Sequence, residues 1–421
     1  MNAYSKPLAP AMSERRVSLL GALMVAVGPI SLALFTPAMP EIVHVFGTTH
    51  STVKLTLSMY FAGFALAQLI CGPLSDGFGR RPIIMAFMSI YLAASVLALF
   101  APSIEWLIAA RFLQGIGGAA GVAVSRAIVR DLFTNESSAR IMNLIGLILG
   151  IGPAFAPSLG GVTMQLFGWQ SIFVLMVIFG VAVIIVMHRG LAETVSRDLS
   201  RIRPKALGRS YLQLLSSGYF MSSALVLGGS IGAFYTLAVV LPFIMMERVG
   251  LSPTAFGFSM LGQSGAFFVG SLVVRRAMRR YGGVAIMPFG LVAIAIGSIA
   301  LAVVLRVTEP TVLTVMGPVA IYAFGTAFLM PGMSTASLAP FPHIAGAAAA
   351  LGGFMQMGGG LVGGLLSGLF SDPVTALATV VPGLGFTAIG CWVWWRSLPE
   401  PAMASMVLTR SPDESSAPPA Q

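Results

Sequence analysis

Twelve mostly apolar stretches, each long enough to cross a bilayer as a helix, follow one another along the 421-residue chain. They lie near 18–40, 52–72, 83–101, 105–127, 140–165, 170–188, 216–245, 253–274, 284–305, 311–333, 344–369 and 374–396. A hydrocarbon core about 30 Å thick needs about 20 such residues per helical crossing, and a helix satisfies its own backbone hydrogen bonds there. The pattern predicts an all-α membrane protein with twelve transmembrane helices. An even count returns both termini to one side. The first run is too long for a signal peptide and further spans follow it, so it reads as the first helix.

Polar positions give the orientation. Of the 24 Lys and Arg residues, 19 fall in the N-terminal segment and every second interval after it, including Arg80, Arg81, Arg130, Arg140 and the group Arg275, Arg276, Arg279 and Arg280. Lys54, Arg248 and Arg306 fall on the other side, and Arg111 and Arg126 fall within a span. Basic residues accumulate in cytoplasmic loops, so both termini are expected in the cytoplasm. Charged residues make up only 9% of the chain, against about 25% in soluble domains. The net charge of +10 sits in short loops beside apolar spans without a binding motif, which argues against nucleic acid. Cys71 and Cys391 lie near cytoplasmic helix ends, where a disulfide is not expected.

The longest polar interval divides the chain. The expected organisation is a cytoplasmic segment 1–17, a six-helix bundle 18–188, a cytoplasmic linker 189–213, a second six-helix bundle 214–396 and a disordered tail 397–421 rich in Ser, Pro and Ala. A repeat is visible where Gly72 opens GPLSDGFGRR after the second span and Gly270 opens GSLVVRRAMRRYGG after the eighth. Paired six-helix halves suit a secondary transporter with its substrate site between them.

Several stretches carry candidate chemistry. In Gly72-Pro73-Leu74-Ser75-Asp76-Gly77-Phe78-Gly79-Arg80-Arg81, glycines permit a tight turn, an acid beside a helix N-terminus gains from the helix dipole, and the arginines can pair with acids such as Asp131, which follows Arg130. Arg111, three residues before Gln114, places a guanidinium within a span. That costs about 2.5–3.5 kcal/mol or more unless it is paired or hydrated, so it is a functional candidate or a snorkelling structural arginine. The fifth span holds Gly152, Pro153, Pro157, Gly160 and Gly161; Gly152, Ala156 and Gly160 recur every fourth residue as a small-residue packing face, and the prolines are expected to bend the helix. A purely structural kinked helix has the same appearance. Tyr60, Gln68, Gln114, Tyr235, Gln263, Tyr322 and Gln356 are the polar or amphipathic residues well within spans, open to substrate contact or to helix–helix hydrogen bonds.

The Gly72–Arg81 stretch resembles the signature loop of the major facilitator superfamily, Arg111 to Ala120 resembles its second motif, and the glycines and prolines of the fifth span resemble its antiporter motif. Pro37-Ala38-Met39-Pro40, Gly168-Trp169-Gln170-Ser171-Ile172-Phe173 and Ala339-Pro340-Phe341-Pro342-His343-Ile344-Ala345-Gly346 resemble the Bcr/CflA branch of bacterial multidrug exporters. The resemblance implies the major facilitator fold and a signature loop that latches the halves in an outward-facing state. It further implies a monomer in the bacterial inner membrane that exports small amphipathic compounds, with protons as coupling ion.

One position departs from that branch. Where its members often carry an Asp in the first helix, this chain has Ala33, and all fourteen acids lie at span ends or outside. Glu41 and Glu105 are the reserve candidates for proton coupling, which needs a group whose proton affinity differs between two access states. There is no nucleotide loop or metal-ligand cluster, so no cofactor and no enzymatic activity are expected. A facilitator or importer of a nutrient or metabolite with the same fold is the alternative, and a membrane-embedded enzyme or receptor is the more distant rival.

Overall fold

The computed structural model describes residues 12–133, 135–399 and 401, with backbone alone at 135, 136, 139, 143, 144, 146–153 and 201. The chain forms α1 (Glu14–Phe35), a 3-10 turn (Thr36–Ala38) and α2 (Met39–Val45), which together make the first crossing. Then follow α3 (His50–Phe78), α4 (Arg80–Leu99), α5 (Ile104–Leu132), α6 (Asn135–Phe167), α7 (Gln170–Gly190) and the short α8 (Pro204–Leu215). The rest comprises α9 (Gly218–Phe243) with a π turn (Ile244–Arg248), α10 (Pro253–Tyr281), α11 (Met287–Val307), α12 (Val312–Leu338), α13 (Ala345–Gly368) and α14 (Pro373–Ser397). Eleven crossings among the described residues are long and apolar enough to span a membrane, and α6, 33 residues long, completes the expected twelve. The expected tail lies outside the described residues beyond Pro401, as does the start of the N-terminal segment.

Local chemistry sets the helix ends. Ser13, Thr49, Ser217, Ser252, Thr311 and Asp372 each accept a backbone N–H of the first turn they precede, satisfying donors that have no partner inside the helix. Four helices run beyond their apolar stretches at the ends bearing the basic residues. α3 reaches Phe78, α5 reaches Leu132, α6 begins at Asn135 and α10 reaches Tyr281. Hydropathy stops at the hydrocarbon boundary, whereas backbone hydrogen bonding continues into the interface. This extension turns the expected signature loop into a one-residue break at Gly79, whose φ of 105° only glycine adopts readily.

The interval read as a polar linker contains α8. Leu207, Tyr211 and Leu214 recur on one face, Leu214 is fully buried, and the Tyr211 hydroxyl donates to the Leu69 carbonyl at 2.7 Å. The surrounding basic residues obscure this short apolar face in the sequence.

The first six long helices pack on one another, as do the last six, and α3 against α13 and α6 against α10 join the two sets. Lipid tails are as apolar as the helices, so burial adds little drive to association and close van der Waals approach must supply it. Gly63 faces the Phe112 carbonyl and Gly115 the Tyr60 carbonyl where α3 crosses α5, while Gly359 faces the Gly228 carbonyl where α13 crosses α9. Phe155, Phe167, Ile178, Phe289 and Leu313 project outward, as suits a lipid-facing surface. Cys71 is buried, Cys391 half-buried, and both are free.

A side chain at Gly359 would have to displace backbone of α9. Gly359→Val is therefore expected to cost about 1–3 kcal/mol, read as a lower melting temperature of the purified protein. An unchanged melting curve would mean that this crossing has slack.

Candidate functional site

On the basic face, Asp76 lies in the last turn of α3, not at a helix N-terminus. Arg80, four residues on, neutralises it at 2.5 Å, and the same guanidinium reaches Asp131 at 2.9 Å and the Ser75 hydroxyl at 2.6 Å. The acid that serves the N-terminus of α4 is Glu193, from the segment after α7. It accepts the backbone N–H of Arg80 at 2.9 Å and of Arg81 at 3.1 Å, where a carboxylate complements the helix dipole. The Arg81 side chain donates to the His188 carbonyl at 2.8 Å, and Arg130 is exposed. Among the described residues, the hydrogen bonds and ion pairs of this cluster stay within the first six long helices and the linker. The sequence named Asp76, Arg80 and Asp131; it gave Glu193 no role, because its partners lie more than a hundred residues earlier.

Deeper in the first set of helices, Arg111 is fully buried. One guanidinium nitrogen donates to the Gln114 amide oxygen, and the Gln114 amide nitrogen donates to Ser95 Oγ at 2.7 Å. Ser95 in turn donates to the Tyr91 carbonyl at 2.7 Å, and Tyr91 Oη meets Ser31 Oγ at 2.5 Å. The guanidinium carbon sits 4.5 Å from the Phe35 ring centroid and 4.4 Å from that of Tyr60, an arrangement that offsets part of the cost of burying a cation. Arg111 Nε and Nη2 make no hydrogen bond, and no carboxylate among the described residues pairs with the side chain. Glu41 stays half-buried in α2, accepting from the Trp169 backbone, and Glu105 is exposed in the first turn of α5, accepting from Ser103 Oγ at 2.6 Å. Ala33 is buried between Ser31 and Phe35.

α6, which carries the glycines and prolines of the fifth span, lies at the junction of the two sets. Gly161 of α6 faces the Pro253 carbonyl of α10, Gly257 of α10 faces the Pro157 carbonyl of α6, and Ser158 Oγ donates to the Gly257 carbonyl at 3.0 Å. Gly160 packs instead on the Leu34 carbonyl. At Gly152 and Pro153 the backbone alone is described.

The candidate substrate contacts separate into two groups. Tyr60 Oη donates to the Gly28 carbonyl at 2.8 Å and Tyr322 Oη to the Ser230 carbonyl at 3.3 Å; both are buried and tie helices of one set together. Gln68 lies against Gly353 and Tyr235 against Gly360. The Tyr235 ring is also 5.3 Å from that of Phe61, so Gln68 and Tyr235 occupy the α3/α13 junction. Gln263 is buried with its amide oxygen unbonded, and Gln356 is half-buried.

On the opposite face, side chains bridge the two sets at positions to which the sequence assigned no role. Lys54 of α3 is fully buried and donates to the Ser367 carbonyl at 2.9 Å. Ser51 Oγ donates to the Gly368 carbonyl at 2.7 Å, and His50 Nε2 lies 2.9 Å from Glu247. An ammonium at the last turn of α13 meets carbonyls that have no partner inside the helix, at the negative end of its dipole. The sequence places Lys54 only on the side opposite the basic loops, and the approach of α13 makes it a bridge.

The profile of the Major Facilitator Superfamily matches residues 21–364. The uncharacterized MFS-type transporter YdgK of Bacillus subtilis (strain 168) is 32% identical, over 83% of this chain and 87% of that protein. Multidrug resistance protein D of Escherichia coli (strain K12) is 26% identical, over 90% of this chain and 96% of that protein. The crystal structure of a D-xylose-proton symporter superposes with a TM-score of 0.71 at 14% identity, over 92% of this chain and 98% of that one.

Replacing Lys54 by Met removes a charge-assisted bond of about 1.5–3 kcal/mol. Amide hydrogen exchange in the last turn of α13 is expected to rise about tenfold or more, with exchange in α5 unchanged. Equal protection in both proteins would show that the bridge does not hold this face closed.

Proposed function

Because the chain belongs to the Major Facilitator Superfamily, a family of multi-pass membrane transporters, we propose that it exports small amphipathic compounds across the bacterial inner membrane by alternating access, in exchange for protons. The observation that carries this reading is the unequal distribution of bonds between the two faces. On the opposite face Lys54, Ser51 and His50 bond across the two sets of helices, whereas on the basic face the Asp76–Arg80–Asp131 cluster bonds only on its own side. A transporter closed at one face with its signature loop disengaged at the other has this arrangement. The α6/α10 crossing, bare glycine against carbonyl in both directions, gives a surface on which two rigid sets can rock.

Export rather than uptake is supported by the small residues and prolines of α6 and by similarity to Multidrug resistance protein D along nearly all of that protein. The basic face is then cytoplasmic, with both termini on it, and the working unit is the monomer, each bundle of six helices moving as a body. Tyr235 and Gln68, at the junction, contact the substrate. Arg111 and Gln114 form the coupling centre, with Glu41 and Glu105 as reserve proton carriers. The second reading, facilitation or import of a metabolite, rests on a specific observation: Arg111 is buried without a carboxylate, and Ala33 stands where the Bcr/CflA branch often has an acid.

Energised inside-out vesicles containing the protein separate the two. Cationic, neutral and anionic amphipathic compounds, added one at a time, are expected to collapse the pH gradient for at least one class. The response should disappear in Asp76→Asn and Arg111→Ala, both still inserted in the membrane. Uptake of labelled compound with no proton movement would establish facilitation, and normal turnover by Asp76→Asn would defeat the switch role.

A further inference from the structure

The second basic turn differs from the first in how its cations are partnered. In the first, Arg80 is neutralised by Asp76 and Asp131. In the second, Arg275, Arg276, Arg279 and Arg280 are all exposed at the end of α10, and no Asp or Glu occurs from Val249 to Thr308 or in α12, which packs on α10; α6, which also packs on α10, carries one acid, at 136, whose side chain lies outside the described residues. No other described helix end gathers four cations within six residues. Arg280 lies over the Tyr281 ring at 5.3 Å; Arg275, Arg276 and Arg279 have no acceptor among the described residues. Some other arginines on this face have one, as Arg16 donates to the Gly190 carbonyl at 2.7 Å and Arg81 is bonded as described, while Arg130, Arg209 and Arg396 have none among the described residues but stand apart from one another; it is the grouping at the end of α10 that is distinctive.

The placement of these cations is regular. Leu272, Arg275, Arg276 and Arg279 fall at i, i+3, i+4 and i+7, hence on one helix face. With Val273 they border an open surface cleft of about 410 Å³. Towards the middle of α10 that surface continues through the exposed Phe268 and Val269. A wall of aliphatic and aromatic side chains thus ends, one helical turn on, in three guanidinium groups with no acceptor among the described residues, just beyond the apolar stretch of α10. Guanidinium forks match phosphate oxygens in pairs, and basic pockets at helix ends on the cytoplasmic side suit anionic headgroups.

We propose that this end of α10 binds an anionic phospholipid, with the phosphodiester held by Arg275, Arg276 and Arg279 and an acyl chain lying along Phe268, Val269 and Leu272. α10 is also the helix whose other end crosses α6 through Gly257 and Pro253, so the lipid would anchor the moving part of the α6/α10 junction to its leaflet.

Native mass spectrometry of the full-length protein in detergent tests this with dioleoyl phosphatidylglycerol and dioleoyl phosphatidylcholine as probes. The protein is expected to retain the anionic lipid about tenfold or more over the neutral one. Excess inorganic phosphate should leave that preference in place. The triple variant Arg275→Gln, Arg276→Gln, Arg279→Gln should lose it. The triple Lys variant at the same positions should keep most of it and shows that the fold persists, and Lys205→Gln with Arg209→Gln on α8 should keep all of it. Three results would overturn the proposal: an unchanged preference in the Gln triple, an equal loss in the α8 variant, or full displacement by phosphate alone, which would indicate a free-anion site.

Discussion

Close approach of backbone to backbone, with no side chain between, is the constraint on which the rest of this protein depends. In hydrocarbon there is little solvent force to press helices together, so α3 meets α5, α13 meets α9, and α6 meets α10 where a glycine lets a neighbouring carbonyl come near. The same device serves two purposes. Inside each set of six helices it makes a fixed body, and between the sets it makes a low-relief contact whose surfaces can slide without unlocking interdigitated side chains.

Charge is then distributed around this apolar framework by what each cation can find. Arg80 has two carboxylates and Arg81 a carbonyl, and both lend their backbone N–H groups to Glu193. Lys54 has the end of α13, reached only when the halves meet on that face. Arg111 has two aromatic rings and an amide in place of an acid. Each solution lowers the cost of removing a cation from water, yet only the Lys54 solution depends on how the two sets are disposed.

Much of this was legible in the chain. Hydropathy located the crossings because the hydrocarbon boundary is sharp, and local motifs named Asp76, Arg80, Asp131 and the small-residue face of α6. The sequence reading fell short wherever the partner was distant. Glu193 caps a helix that begins 113 residues earlier, Ser367 lies 313 residues after Lys54, and neither pairing leaves a local trace. α8 escaped because its short apolar face lies within a polar interval rich in basic residues, and the one-residue break at Gly79 because apolar patterning cannot report where a helix continues beyond the lipid.

The segment that joins the two sets has a mechanical character that its composition conceals. Near its start Glu193 is fastened to α4, midway the Asp198 N–H donates to the Gly77 carbonyl at 2.9 Å, and near its end Tyr211 is fastened to α3. The connection is a strap sewn to the first set at Glu193 and Asp198, whereas its α8 lies against the second set, with Leu214 packed on Phe220, Ala224, Ala348 and Leu351, and Tyr211 reaching back to α3. A protein divided in this segment would lose more than covalent continuity: a cut before Glu193 leaves the start of α4 uncapped and a cut after α8 strips the second set of Leu214, so two separately made halves would recombine well only if the division fell between Asp198 and α8.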